Sequence, residues 1–454
     1  MNKSEYLDTV VGQMRCSKAR EFVRQELEEH ILDQQEAYIR EGMPEDTAME
    51  KAVLDMGDPV ETGISMDRLH RPKMSWETLL LVGIVSLFSI ALQWVLAENG
   101  SGSSALSDSA LQQHIVYIVL GYVLMLLTYR LDYSVLAEYG IWVAAAILIL
   151  LAVDCTFGLS VNGSTMYISI GFFHLSAGFL SWLYIPVFGA VLYHYRGQGF
   201  ECFWKILFWA MIPFGLIFKG TYLSRAILVY ISLGLLMAAA IWKDWFHVPR
   251  KRGLLLAGSA FLLIPAGIAA VMVAIGNLPV GYYLTKLKNF FSPSATGAYH
   301  EAYSYTMGMA RQILKSCRLI GSGNGSVSVT DLAGYNGEYI LVSLASAFGL
   351  LSVVLVVLLL TFLAVKTFQI ALHQKNQLGM ILGLGCGIVL LLQILTSLSV
   401  DFGLTVAFNT AFPFLSSDGG NLICSYLLLG LVLSIYRYED ILLKRLPDEV
   451  KVLE

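Results

Sequence analysis

Residues 413–420 read Pro413-Phe414-Leu415-Ser416-Ser417-Asp418-Gly419-Gly420 and open an apolar segment that continues to Arg437. A proline, two hydroxyls, an acid and two glycines therefore stand at the mouth of a predicted membrane helix. Irregular backbone is tolerated at membrane depth only where protein buries it or where it lines a water-filled cavity. We therefore predict that this stretch, the 413–420 corner, lines a functional chamber, with candidate substrate contacts at Pro413, Ser416, Asp418, Gly419 and Gly420.

Composition places the rest of the chain in the same class. Hydrophobic residues make up 56% of the 454 residues and charged residues only 14%, whereas a soluble protein carries about 25% charged residues. The predicted fold class is therefore all-α, a polytopic membrane protein. The net charge of -4 and the absence of a basic cluster argue against a nucleic-acid partner.

The first 73 residues differ from the remainder. They are charged and helix-periodic, with Pro44 placed for a first helical turn, Glu45 and Asp46 suited to its positive end, and a stop signal at Gly57-Asp58-Pro59. We predict a small cytoplasmic helical domain over 1–73, which resembles the prefix domain found ahead of some bacterial permeases. It would serve either as a regulatory or docking module or as a folding and anchoring cap.

The segment 74–437 contains about ten apolar stretches near the roughly 20 residues needed to cross a bilayer. Lys and Arg concentrate in alternate loops, whereas the short loops 98–112 and 155–177 contain neither. The positive-inside rule then places both termini and the tail 438–454 in the cytoplasm. The predicted spans are 77–97, 113–129, 135–154, 178–194, 204–219, 224–242, 253–276, 339–365, 379–399 and 420–436.

The large loop 277–338 falls on the opposite, outer side of the membrane. Loops of this length are usually functional or disordered. Within it, 303–319 is predicted to be helical, and the turn after it contains Gly321, Ser322 and Gly323. Glycines allow a positive φ and can expose backbone N–H groups to an anion. We therefore predict that this turn binds a pyrophosphate, or else is only a flexible connector.

Several charged residues fall at predicted outer ends of spans. Asp401 and Asp418 could face the same chamber as Glu338, where carboxylates could hold Mg²⁺ or Mn²⁺, although solvated acids are the simpler interpretation. Arg225 would provide positive charge at an outer helix end, or would extend its side chain to the interface. The sequence itself requires no cofactor.

The order of motifs resembles the SEDS family of cell-wall polymerases, the FtsW/RodA/SpoVE group. The resemblance runs from about 76 to 437 and rests on the stretch Asn162-Gly163-Ser164-Thr165-Met166-Tyr167-Ile168, on Ile320-Gly321-Ser322-Gly323, on Gly337-Glu338-Tyr339-Ile340-Leu341 and on the 413–420 corner. It implies that Asn162 and Gly163 contact substrate, and that Glu338 stands where the family has a functional aspartate. The chain departs from the family pattern at Met166, Phe179 and Trp182, where the family has an arginine, an acid and a lysine.

The resemblance implies a peptidoglycan glycosyltransferase that polymerises lipid II outside the membrane, in division or cell-shape maintenance, with a class B penicillin-binding protein as partner. Such chemistry needs a base for the attacking hydroxyl and positive charge or a metal for the departing pyrophosphate. Two alternatives stay open. One is a non-catalytic scaffold or regulator of a cell-wall synthase, and the other is a transporter of a lipid-linked sugar.

Overall fold

The computed structural model describes residues 1–99, 104–161, 164–170, 173–219, 223–274, 298–323, 327–405 and 411–439. The chain divides into two compact units. One comprises Met1–Ser75 with Gln374–Asn376 and Leu433–Glu454, and the other comprises Trp76–His373 with Gln377–Val432.

The first unit contains four helices, α1 (Lys3–Gly12), α2 (Ser17–Arg40), α3 (Glu45–Asp55) and α4 (Pro59–Leu69). Asp58 caps α4, because its side chain accepts a hydrogen bond from the Val60 N–H and Pro59 occupies the first helical turn. Apolar side chains of α1, α2 and α3 are buried together, among them Tyr6, Leu7, Val10, Val23, Ile31, Ala48 and Ala52. The charged residues of this segment therefore surround a small hydrophobic core.

The second unit is built from long apolar helices. They are α5 (Trp76–Asn99), α6 (Ser104–Arg130), α7 (Val135–Phe157), α8 (Ala177–His194), α9 (Cys202–Lys219), α10 (Leu223–Trp242), α11 (Arg250–Ala274), α14 (Leu350–His373), α15 (Gln377–Asp401) and α16 (Gly419–Arg437). Among the described residues, eight of these helices are long and apolar enough to cross a membrane, and α9 contains a shorter apolar stretch. The prediction of an all-α polytopic membrane protein is confirmed.

Helices α8 and α15 form the centre of this unit, since most of each lies buried inside the protein. Glycines let them approach closely. A Cβ atom on Gly385 would lie 2.7 Å from Pro186 Cα, and one on Gly189 would lie 3.2 Å from Ile381 Cγ2. Small residues at such crossings allow close van der Waals packing, which drives helix association in lipid because the hydrophobic effect between helices is missing there.

The predicted eighth span, 339–365, is two helices rather than one. The short α13 (Ile340–Phe348) ends at Gly349, whose φ is +95°, and α14 begins at Leu350. The preceding segment binds the break: the N–H groups of Gly321 and Gly323 donate to the Phe348 and Ser346 carbonyls at 3.0 Å each, and Leu350 N–H donates to the Arg318 carbonyl at 2.9 Å. A broken helix of this kind persists in a membrane protein because its freed backbone groups are satisfied.

The predicted loop 155–177 contains a small antiparallel sheet that the sequence analysis missed. Its strands are β1 (Leu159–Val161), β2 (Ser164–Ile170) and β3 (Phe173–Ser176), in the order β1-β2-β3. In register, Tyr167 lies opposite Leu159 on one side and Ser176 on the other. The sheet leads directly into α8 and so fixes the start of that helix. In the large loop, the predicted helix 303–319 is α12 (Ala298–Ser316).

Candidate functional site

The 413–420 corner is a buried turn that ends in a capped helix. Phe414 adopts a left-handed φ of +62°, and the buried Ser416 hydroxyl accepts the Asp418 N–H at 3.2 Å. Asp418 is exposed; its carboxylate accepts the Gly420 N–H at 3.1 Å and the Asn421 side-chain amide at 2.5 Å. An acid at this position is a helix N-cap, so the structure uses Asp418 to start α16.

The two glycines of the corner are required by close neighbours. A Cβ on Gly419 would lie 2.5 Å from the Tyr117 ring, and one on Gly420 would lie 3.2 Å from the Ser176 hydroxyl. Tyr117 belongs to α6, and Ser176 ends β3. The corner therefore packs its backbone directly against two other elements of the same unit.

Glu338 lies beside this corner. Both the N–H and the hydroxyl of Ser417 donate to the Asn336 carbonyl, each at 2.9 Å, and Asn336 precedes Glu338 by two residues. Glu338 is half-buried and lies just ahead of α13. The structure thus brings the 413–420 corner together with the segment that precedes Glu338, across about 80 residues of chain.

Buried polar side chains of α5 and α6 form a network that contacts the corner at the Leu415 carbonyl. The Ser89 hydroxyl lies 2.8 Å from His114 Nε2, and it also donates to the Leu415 carbonyl at 3.4 Å. The Gln93 side-chain amide donates to the same carbonyl at 3.5 Å. All three side chains are buried, and buried polar groups normally require such partners. Sequence reasoning assigned no role to these residues, because nothing in a single sequence links α5 and α6 to the corner.

Asp401 is the second carboxylate of this region. It is the last residue of α15 and is 2% exposed. Neither of its carboxylate oxygens has a hydrogen-bond partner among the described residues. Among the described residues, no group of three or more His, Cys, Asp or Glu side chains is arranged to hold a metal ion. The predicted Mg²⁺ or Mn²⁺ site therefore has no complete protein ligand set in that part of the chain.

Arg225, in the first turn of α10, lies against the start of α8. It is buried, and a Cβ on Gly178 would lie 2.7 Å from its Nη1 atom. Phe179, the residue after Gly178, occupies the position of the family acid. Its carbonyl lies 4.0 Å from Cys424 Sγ on α16. Trp182, at the family lysine position, is completely buried. The structure therefore places a cation beside the helix turn where the family pattern carries an ion pair.

Of the remaining predicted substrate contacts, the structure describes those in the segment 321–323, whereas Asn162 and Gly163 lie outside the described residues. The N–H groups of Gly321 and Gly323 donate to the Phe348 and Ser346 carbonyls, so these two amides are already bonded within the protein, and pyrophosphate binding by this turn stays a prediction. Ser322, between them, is exposed and keeps its place as a predicted substrate contact.

Comparison with known proteins identifies the family of the chain. The sequence profile of the cell cycle protein family FtsW/RodA/SpoVE matches residues 72–441. The probable peptidoglycan glycosyltransferase FtsW of Trichlorobacter lovleyi is 22% identical over 381 residues, covering 79% of this chain and 93% of that one. The protein with the same description from Enterococcus hirae is 24% identical over 374 residues, covering 79% and 89%.

Solved structures share the fold. A chain from a study of how a peptidoglycan synthase complex coordinates polymerisation and crosslinking superposes with a TM-score of 0.61 at 20% identity, covering 80% of this chain and 98% of that one. The rod shape determining protein RodA of Thermus thermophilus gives a TM-score of 0.52 at 18% identity, covering 81% and 97%. The chain is a multi-pass bacterial membrane protein that belongs to the FtsW/RodA/SpoVE family of cell cycle proteins.

Proposed function

We propose that this protein is a peptidoglycan glycosyltransferase that polymerises lipid II at the outer face of the cytoplasmic membrane, in cell division or cell-shape maintenance. Family membership over residues 72–441 supports the reaction class. The observation that carries the proposal is the position of Glu338 two residues after Asn336, whose carbonyl accepts two hydrogen bonds from Ser417 of the 413–420 corner. In this orientation both termini are cytoplasmic, as the loop charges predict.

Glu338 is the proposed base. The hydroxyl of the acceptor sugar attacks the anomeric carbon of the donor, the new glycosidic bond forms, and the bond to the undecaprenyl pyrophosphate breaks. The hydroxyl proton passes to the Glu338 carboxylate, and the electron pair of the broken bond leaves with the pyrophosphate. Proton transfer to a positioned carboxylate contributes about 10²- to 10⁴-fold in rate. In support of that role, Glu338 is half-buried and follows a segment that is hydrogen-bonded to the corner.

The leaving pyrophosphate needs positive charge. Arg225, in the first turn of α10, lies next to Gly178 at the start of α8, the helix whose first turn approaches α16 at Phe179 and Cys424. A guanidinium binds phosphate oxygens through several N–H donors at once. We infer that Arg225 serves the donor side of the reaction. A divalent cation would supply the same stabilisation, and its requirement stays a prediction.

A class B penicillin-binding protein is the proposed partner. One structural neighbour comes from a complex in which polymerisation and crosslinking are coordinated, and crosslinking consumes the strands that polymerisation makes. We therefore expect activity to rise when the partner is present.

The test is polymerisation of purified lipid II by the purified protein with its partner and Mg²⁺. Glu338→Ala should lower the rate by at least about 10²-fold because the base is lost, and Glu338→Asp should retain a measurable fraction of activity. Asp331→Asn is the matched control: Asp331 is an exposed acid in the same segment, and its loss should leave the rate unchanged. Equal rates for wild type and Glu338→Ala would refute the proposed role.

A second candidate is a non-catalytic scaffold of a cell-wall synthase. The observation in its favour is that Phe179 and the fully buried Trp182 occupy family positions for a charged pair. A scaffold would give no strands under any condition tested, would tolerate Glu338→Ala in cells, and would still co-purify with its partner.

A further inference from the structure

Helix α5 carries a stripe of buried polar side chains. Ser86, Ser89 and Gln93 are 4%, 0% and 8% exposed, and their spacing of three and four residues places them on one face of the helix. A hydroxyl or amide inside a membrane protein is costly unless it finds a partner. Each of the three contacts a residue outside α5, and we call them the α5 polar stripe.

The 413–420 corner contains a residue in an unfavourable backbone conformation. Phe414 has a φ of +62°, and its side chain is completely buried. A bulky residue in the left-handed region is costly, and it persists only where the surrounding structure holds it. Strain of this kind concentrates at functional sites. The contacts that hold Phe414 and Leu415 therefore show what keeps the corner in its shape.

The first of these contacts runs through Tyr426 of α16. The rings of Phe414 and Tyr426 meet edge to face, with centroids 5.1 Å apart, and the Tyr426 hydroxyl lies 2.6 Å from Ser86 Oγ. Because the Ser86 hydroxyl donates its hydrogen to the Val82 carbonyl at 2.6 Å, the Tyr426 hydroxyl is the donor between the two. Gly121 of α6 leaves room for the ring, since a Cβ there would overlap it.

The second contact is a chain of hydrogen bonds that ends on the Leu415 carbonyl. The Ser89 hydroxyl donates to that carbonyl at 3.4 Å and lies 2.8 Å from His114 Nε2. A serine hydroxyl has a single hydrogen, so the His114 Nε2–H group donates to Ser89 Oγ. The Gln93 side-chain amide is a second donor to the carbonyl, at 3.5 Å. His114 thus fixes the direction of the Ser89 hydroxyl, and Ser89 fixes the carbonyl.

The Leu415 carbonyl in turn sets the direction of the chain toward Glu338. It belongs to the planar peptide group that joins Leu415 to Ser416. One residue further, the N–H and the hydroxyl of Ser417 donate to the Asn336 carbonyl at 2.9 Å each. A rotated Leu415 peptide group would misdirect both of these donors, and Glu338 follows Asn336 by two residues.

We propose that Ser89 is a positioning residue for polymerisation: with His114 behind it, its hydroxyl holds the Leu415 peptide group so that Ser417 stays bonded to the segment that precedes Glu338. The proposal rests on the proposed function, since it assigns Ser89 to the same reaction. Ser86 and Tyr426 provide the neighbouring support, at Phe414.

The first experiment compares Ser89→Ala with Ser232→Ala for kcat and KM of polymerisation, with rates normalised to folded protein. Ser89→Ala should lower kcat about tenfold and change KM for lipid II by less than about twofold, since orientation of the base is lost while the substrate still binds. Ser232 is a matched control because it is also 0% exposed in a membrane helix, and its hydroxyl donates only to the Leu228 carbonyl of its own helix, at 2.7 Å. Wild-type kcat in Ser89→Ala would overturn the proposal.

Substitutions of His114 test the hydrogen-bond chain itself. His114→Gln keeps an N–H donor at about the place of Nε2 and should retain most of kcat, whereas His114→Leu removes the donor and should lower kcat about fivefold. Because His114 acts through Ser89, the Ser89→Ala/His114→Leu double variant should lose about as much as Ser89→Ala alone. Equal losses in His114→Gln and His114→Leu, or additive losses in the double variant, would refute the chain.

A last measurement does not depend on activity. Hydrogen–deuterium exchange in detergent, followed by mass spectrometry of a peptide spanning 411–420, reports how often the amides of the corner open. Exchange should become several-fold faster in Ser89→Ala and stay unchanged in Ser232→Ala. Unchanged exchange in Ser89→Ala would overturn the proposal even if wild type made glycan strands. Faster exchange in a protein that makes no strands would leave the Ser89 contact standing and remove the proposed function instead.

Discussion

Two glycine-rich segments suggest the same function in the sequence and differ in the structure. In the segment 321–323, the N–H groups of Gly321 and Gly323 bind the carbonyls at the end of α13. In the 413–420 corner, Gly419 and Gly420 bring the backbone against Tyr117 and Ser176, next to the segment that contains Glu338. The first segment repairs a broken helix, and the second forms one side of the candidate site.

A glycine cluster in a sequence therefore indicates that the backbone approaches another group closely, but it does not say which group. That group can be a carbonyl, an aromatic ring or a ligand. What decides between them is where the N–H groups point and what fills the space of the missing Cβ, which are both three-dimensional properties. Substitutions at single glycines therefore test the comparison directly.

The largest effect is expected at Gly349, where the segment 321–323 meets the helix break. An alanine there would have to adopt a φ of +95°, and its Cβ would lie 2.7 Å from the Leu319 carbonyl oxygen and 2.8 Å from Ile320 Cα. Backbone strain and overpacking each cost about 1–3 kcal/mol, so Gly349→Ala should lower the free energy of unfolding by about 3 kcal/mol or more. Thermal melts and expression yield would measure it.

Gly308→Ala is the control for that variant. Gly308 lies inside α12 with nothing within 4 Å of its missing Cβ, so alanine should be neutral or slightly stabilising there. Equal Tm values for Gly349→Ala and wild type would show that the segment 318–323 does not hold the break as described.

The next largest effect is expected at Gly419, in the corner. A Cβ there would lie 2.5 Å from Tyr117 Cε2 and 2.6 Å from Cζ, and overpacking of this kind costs about 1–3 kcal/mol. Because Asn336 is bonded to the corner, we also expect the polymerisation rate to fall by more than the loss of folded protein explains. Rates normalised to folded protein would measure that difference.

A second-site change sharpens this prediction. Tyr117→Leu shortens the side chain that the new methyl group meets, so Gly419→Ala combined with Tyr117→Leu should recover part of the Tm and of the rate. No recovery in the double variant would mean that the Tyr117 contact does not explain the need for glycine.

Much of the fold could be predicted because membrane helices are recognisable from their length and hydrophobicity. Helices α7, α10 and α15, for example, lie where apolar stretches predicted spans. The break at Gly349 could not be predicted, since the stretch 339–365 contains no charged residue and a single glycine in it is tolerated in a straight helix. The sheet in 155–177 escaped for a similar reason, because strands of three to seven residues carry little periodic signal.

The candidate site was predictable in its parts and not in its assembly. The corner was identified from local residue types and Glu338 from the family resemblance, and the structure joins the corner to Asn336, two residues before Glu338. The hydrogen bond from Ser417 to the Asn336 carbonyl could not be inferred, because nothing in a single sequence links two segments about 80 residues apart. Asp418, in contrast, could have been interpreted from the sequence alone. An acid ahead of two glycines at the start of a helix is explained by helix capping, without a ligand.

The smallest effect is expected at Gly321, and it tests the structural interpretation of the segment 321–323 most directly. Gly321 has a φ of +86°, but nothing lies within 4 Å of its missing Cβ, and its N–H donates to the Phe348 carbonyl at 3.0 Å. Gly321→Ala keeps that hydrogen bond, and the left-handed backbone conformation of alanine lowers the free energy of unfolding by about 1 kcal/mol. We expect a Tm a few degrees lower and an unchanged KM for lipid II, because the amide serves the α13–α14 break and not the donor. A KM several times higher at an unchanged Tm would instead make this segment part of the donor site and would remove the distinction between the two glycine-rich segments.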